Sequence, residues 1–193
     1  MLDPRIRSLA RERIEIAVEE RWTPLATQTS AITSEFAKAG GFGSSRMHVH
    51  ILGLYEDELD IQGSLAWGQL STVLGIVGVG PPEQLAVDLK AFMGEIIEWI
   101  ASGLFDHLKQ MSPLRQERQL TVDPSDRLGK RKAHAIRKVC SEIDLFVARL
   151  EQATRVAQDG GDTHVNVYGG QIGILQTGAS STASMTVQLD SIL

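Results

Sequence analysis

Histidine, carboxylate and thiol side chains are the groups from which this chain could build a reaction centre, and their spacing decides what each could do. The stretch RMHVHIL sets His48 and His50 two residues apart. On a strand two such rings would face one side and could share a metal ion. On a helix they point nearly opposite ways, because helical neighbours are three or four residues apart. The stretch reads as the start of a helix, which argues against a shared metal. His107, His134 and His164 have no Asp, Glu or Cys at a recurrent ligand spacing and read as surface or capping residues. YEDELD brings Glu56 and Asp60 one turn apart, and in a bundle Glu95 and Glu98 could join them for acid/base work or metal binding. The Glu-x-x-His pattern of a di-iron bundle is missing, so an acidic metal-binding bundle is the weakest functional reading. Cys140 falls among Ile136, Ile143 and Val147 at helical spacing and reads as a small buried hydrophobe rather than a nucleophile. GIVGVGPPEQ lacks the Gly-Lys-Ser/Thr ending of a phosphate loop, and no Gly-x-Ser-x-Gly elbow is present. The sequence therefore assigns no catalytic residue, no cofactor and no metal, and it reads as non-enzymatic.

The elements that must carry these residues are mostly helical. In LDPRIRSLARERIEIAVEERW, Asp3 can cap a first turn and Pro4 stands at the first helical position, where its missing N–H costs nothing. Ile6, Leu9, Ile14, Ala17, Val18 and Trp22 then recur on one face. Pro24 predicts either two helices or one kinked helix, ending at AGGFGSS, where Ser44 or Ser45 can cap the next. A second long helix is expected from Arg46 to about Val79. Its Gly53, Gly63, Gly68 and Gly75 each cost about 1 kcal/mol relative to alanine, which suggests close backbone packing. Pro81 and Pro82 break it, and a third helix follows from Glu83 to about Met111. Residues 112–126 read as an exposed linker. The fourth helix places Ile136, Cys140, Ile143, Val147 and Leu150 at alternating steps of four and three, the seam of an antiparallel bundle. The expected fold is mainly α: a bundle of four long antiparallel helices over residues 1–158, with a β tail over 163–193.

Composition narrows the functional classes. The chain has 193 residues, 42% of them hydrophobic and 22% charged, as expected of a folded domain with one core. A net charge of -5 argues against nucleic acid as a general partner, which would call for a basic surface. A single cysteine excludes an internal disulfide, and the charged start MLDPRIRSLARER is unlike a signal peptide, so a cytoplasmic location is expected. The basic run RLGKRKAHAIRK, Arg127 to Lys138, reads as a solvated helix end, with phosphate or anionic lipid as the alternative.

Near the carboxyl end the apolar period changes from helical to two: Val165 and Val167, Ile172 and Ile174, then Met185, Val187 and Leu189, with Gly169-Gly170 and a turn at 178–181 between them. Three short strands with one apolar face cannot stand alone. Their cover must be the chain's own helices or the tails of other copies. Strand edges free of charge and proline recruit identical neighbours, so these seven residues are the expected oligomerisation surface of a homo-oligomer. The phrase VNVYGGQIGILQTGASSTASMTV, residues 165–187, resembles the Gly- and Thr-rich endings that follow helical or effector domains in some bacterial phage-defence and conflict proteins. That resemblance implies a bacterial origin and a role in assembly, and it brings no catalytic residues. The leading expectation is an assembly, scaffold or signalling protein whose partner is itself, with room for a further protein partner. The alternative is a membrane-active effector. Residues 61–82 carry no charge, and Ser64/Gly68 and Ser71/Gly75 repeat at a spacing that lets helices approach in lipid. Leu65, Gly68, Leu74, Gly75 and Val77 would carry that activity on activation.

Overall fold

The computed structural model describes residues 2–77, 82–111, 124–159, 163–168 and 171–176. Four long helices make up most of it: α1 (Pro4–Lys38), α2 (Ser45–Val77), α3 (Pro82–Gln110) and α4 (Pro124–Asp159). Helix α1 starts where its sequence can satisfy a free amide. The Asp3 carboxylate accepts from the Arg5 N–H at 2.7 Å and Pro4 occupies the first turn. Pro24 lies inside α1, which runs through it as one helix. The turn into α2 needs the left-handed backbone region twice, at Gly40 (φ 70°) and Gly43 (φ 76°), where any side chain would be strained. Ser44 Oγ then accepts the Met47 N–H at 3.3 Å and caps α2. Helix α4 begins at Pro124, so residues 124–126, read from sequence as linker, form its first turn, while 112–123 lie outside the described residues.

Side-chain pairs fix the directions of the helices. Arg21 meets Glu58 and Arg13 meets Gln69, so α1 and α2 run antiparallel. Lys132 meets Glu98 and Lys90 meets Asp144, so α3 and α4 do too. Across these two hairpins α2 and α3 are antiparallel, while α2 runs parallel to α4 and α1 parallel to α3. Glu56, Asp60 and Trp67 of α2 face Arg127, Arg131 and Phe146 of α4, and Arg7 and Trp22 of α1 face Glu95 and His107 of α3. The bundle is thus two antiparallel hairpins set side by side. Helix α2 is its most enclosed member, with Met47, Ile51, Tyr55, Leu59, Leu70 and Leu74 fully buried against Ile14 and Leu25 of α1, Leu89 and Leu104 of α3, and Ile143 of α4. Each such aliphatic side chain contributes about 1.5–3 kcal/mol by leaving water.

The core departs from the expected seam in α4. Val139, Ile143, Phe146, Val147 and Leu150 are buried, but Cys140 and Ile136 are only half-buried. The inward stripe is centred one position away from the Ile136–Cys140 line: Ala135 and Val139 are buried, and Ala135 lies against Gly63 of α2. The glycines differ as well. Gly63 approaches α4, where an added Cβ would lie 3.9 Å from the Ala135 methyl, while Gly53 and Gly68 face open space. A Cβ would be accommodated at all three, at Gly63 in ordinary van der Waals contact, so close backbone packing is not what requires glycine at these positions.

Beyond α4, two strands, β1 (Thr163–Tyr168) and β2 (Gln171–Gln176), pair antiparallel. The register sets Val165 opposite Ile174 and Val167 opposite Ile172, with Tyr168 opposite Gln171. β1 runs beside α2 and α4, and β2 beside α4.

Candidate functional site

The acidic run and the basic run singled out in the sequence are partners of one another. Helix α2 presents Glu56, Asp57 and Asp60 on its α4 flank, and α4 presents Arg127 and Arg131 at the matching steps. Arg127 Nε donates to Glu56 Oε1 at 2.7 Å, and its second arm holds the other carboxylate oxygen. Arg131 reaches Asp60 at 2.6 Å and Asp57 at 3.3 Å. Lys132 turns the other way to Glu98 at 2.6 Å, and Lys130 pairs within its own helix with Asp126. Four of the six basic residues of the run are therefore paired with carboxylates along the flanks of the bundle. Two atoms of the network lack hydrogen-bond partners, Asp60 Oδ1 and Arg131 Nε, with His134 Nδ1 3.9 Å from the former. Among the described residues no group of three His, Cys, Asp or Glu side chains could hold a metal ion.

The fourth carboxylate of YEDELD faces the opposite flank. Glu58 is 1% exposed and takes both arms of Arg21, at 2.9 and 2.7 Å, and the Gln62 amide at 2.9 Å. The Glu58 bond pushes the Arg21 guanidinium still further above its usual range. Gln62 Oε1 is buried without a partner. Sequence reasoning passed over this triad. A signal was present in the Glu58/Gln62 pair one turn apart on a helix whose neighbouring turns are apolar.

His107 was also misjudged, since a surface or capping role does not describe it. Its ring lies between Trp22 (5.2 Å between centroids) and Tyr55 (5.8 Å, stacked), and its Nδ1 shares a hydrogen bond with the Tyr55 hydroxyl. Tyr55 is fully buried, and burial pushes its phenol up to about 12. Beside this pair a cleft of about 460 Å³ opens between α1 and the end of α3, lined by Thr29, Ser30, Thr33 and Ser34 together with His107 and Met111. The Thr29 and Thr33 hydroxyls donate to helix carbonyls one turn back, and among the described residues the lining carries no carboxylate, lysine or arginine. His48 is buried and His50 meets the Phe36 ring edge-on at 5.4 Å, so the two rings of RMHVHIL do not converge.

The residues assigned from sequence to other roles are spread out. Of the oligomerisation set, Val165, Val167, Ile172 and Ile174 share one strand face by alternation, and Met185, Val187 and Leu189 lie outside the described residues. Of the membrane set, Leu74 is in the core, Leu65 and Gly75 are half-buried, Gly68 is exposed, and Val77 is the last residue of α2. Among the described residues no helix is long and apolar enough to cross a membrane. No protein-family model, no curated protein and no solved structure matches this chain.

Proposed function

We propose that the protein is a non-enzymatic assembly module: a helical body that carries a strand-forming tail through which copies of the chain associate, as a scaffold or in signalling. The observation that supports this reading is the two-stranded sheet of 163–176. Among the described residues each of its strands has one paired edge and one edge without a strand partner. A row of N–H and C=O groups not used within the hairpin is a template for another strand, and residues 163–176 contain neither Asp, Glu, Lys or Arg nor proline to block it. The chemistry of the body agrees. Glu56, Glu58 and Asp60 of α2 are engaged by arginines, and the one cysteine is half-exposed on α4. A place for such assembly in bacterial defence rests on the resemblance of the tail alone, and a cytoplasmic setting rests on composition.

Removing residues 160–193 and measuring mass by size-exclusion with light scattering tests the reading. The full chain should weigh a multiple of 21.1 kDa and the truncated chain one protomer of its own length, with an unchanged helical circular dichroism signal. A truncated protein that keeps the multiple would sink the proposal.

A further inference from the structure

We propose that the turn joining α1 to α2 is a contact for an anionic membrane surface, on which it lies without crossing: the Phe42 ring enters the interface, and Lys38 and Arg46 meet the headgroups beside it. The position of the turn comes first. Trp22 of α1 is level with His107 of α3, and from there α1 continues to Lys38 while α3 continues only to Gln110. Glu56 of α2 is level with Arg127 of α4, and α2 begins at Ser45 while α4 begins at Pro124. At 1.5 Å per residue the tip of the α1–α2 hairpin therefore stands about 20 Å beyond the end of α3 and about 12 Å beyond the start of α4. The strands follow Asp159, at the opposite end of α4, so this contact is separate from the tail.

The turn is fixed, and it holds a ring in water. The Gly41 N–H donates to the Phe36 carbonyl at 2.7 Å, and the Ser44 N–H to the Gly41 carbonyl at 3.1 Å. Behind them the Phe36 and His50 rings meet edge-on and tie the two helices together. Phe42 is nevertheless 56% exposed, and Val49, on the α2 side of the tip, is 43% exposed. An apolar ring kept in water by a hydrogen-bonded turn gains free energy on entering an apolar phase. Charge selects which phase. Residues 36–55 contain Lys38 and Arg46 and neither Asp nor Glu, although the whole chain carries a net charge of -5. Both cations are exposed, in contrast to Arg127 and Arg131, which carboxylates hold. Glu35 is the nearest acid along α1; on α2 the nearest, Glu56, lies about 16 Å from the first residue of the helix, beyond the ~10 Å Debye length at 0.1 M salt. A projecting ring with a cation on the helix at either side is the arrangement of an interfacial anchor.

Co-sedimentation of the full chain at low salt tests the contact, with vesicles of equal parts phosphatidylcholine and phosphatidylserine set against phosphatidylcholine alone. Phe42→Ser removes the ring, and Lys38→Gln with Arg46→Gln removes both cations; all three side chains are exposed. The charge-matched control is Arg137→Gln with Lys138→Gln, two exposed cations of the basic run on α4. The full chain should bind the anionic vesicles and bind the neutral ones less. Its affinity for the anionic vesicles should fall about fivefold in Phe42→Ser and about 25-fold in the Lys38/Arg46 pair. The α4 pair should bind as the parent does, with the same helical circular dichroism signal throughout. Absence of binding at low salt, equal binding to both vesicles, a Phe42→Ser protein that binds as the parent does, or an equal loss in the α4 pair each overturns the proposal. So does a full chain that ignores vesicles but binds polyglutamate through Lys38 and Arg46, which would assign the turn to an acidic protein instead.

Discussion

On the α1 side of α2 one carboxylate, Glu58, is sunk to 1% exposure and takes both arms of Arg21 and the amide of Gln62. On the α4 side three carboxylates share two arginines along a partly open edge, with Asp57 72% exposed and Glu56 and Asp60 16% and 18% exposed. All four acids come from one hexapeptide, YEDELD, and differ only in the direction that a helical step of about 100° gives each. The contrast teaches that residue type does not set what an ion pair is worth. In the buried pair the cost of taking charges out of water consumes most of the attraction, so the pair adds little net stability and yet cannot lose one member. In the open row each charge keeps part of its hydration, so each pair is weak and also dispensable.

The largest expected effect follows from the buried flank. Arg21→Met should leave the Glu58 carboxylate uncompensated and destabilise the fold by about 3–5 kcal/mol, lowering Tm by on the order of 10 °C for a chain of this size. The double variant Arg21→Met, Glu58→Leu should recover most of that loss, because it removes the stranded charge as well as its partner. Thermal melts of the single and double variants read both effects. A single variant that melts within 2 °C of the parent would break the comparison between the flanks.

The flanks also mark how far the sequence can be read. The four helices, the Asp3 and Ser44 caps and the glycine turn were legible because each is set by neighbours within one helical turn. The acidic and basic runs were legible as charges, but nothing local says that they meet. The parallel contact of α2 and α4 is a tertiary choice between residues 71 positions apart, as Glu56 with Arg127 shows. The His107 assignment failed for a related reason. A histidine near a helix end looks solvated until Trp22 and Tyr55, from two other helices, close on it. Cys140 failed because alternating steps of four and three describe two adjacent stripes of one helix about equally well, and only the position of Ala135 against α2 decides between them.

The third side of α2 sharpens the comparison, because there the buried polar group is uncharged. Tyr55 is fully buried with its phenol pushed up to about 12 by desolvation, against about 10 in an unfolded chain. The unfolded state therefore loses this proton first as pH rises. Between pH 10 and 12 it binds fewer protons than the native state, and stability falls over that window by at most about 3 kcal/mol. Below pH 10 the contribution is fully present and independent of pH. Tyr55→Phe should show a shallower loss of stability between pH 10 and 12 in urea titrations, at a constant cost at neutral pH from the lost bond to His107. Identical slopes for the two proteins would mean that the phenol is not isolated from water.

The smallest effect belongs to the open row and is the most informative about screening. Arg131→Met removes the partner of both Asp57 and Asp60 and should cost about 1 kcal/mol at low salt, the scale of exposed pairs. Because the Debye length falls to about 3 Å at 1 M salt, most of that deficit should vanish there, while the Arg21→Met deficit should shrink less, because Glu58 is 1% exposed although Arg21 itself is 28% exposed. Urea titrations of both variants at low and high salt therefore form a cross. If Arg131→Met costs as much as Arg21→Met and is equally indifferent to salt, then the α4 flank is as dry as the α1 flank, and burial of the individual side chains is not what separates them.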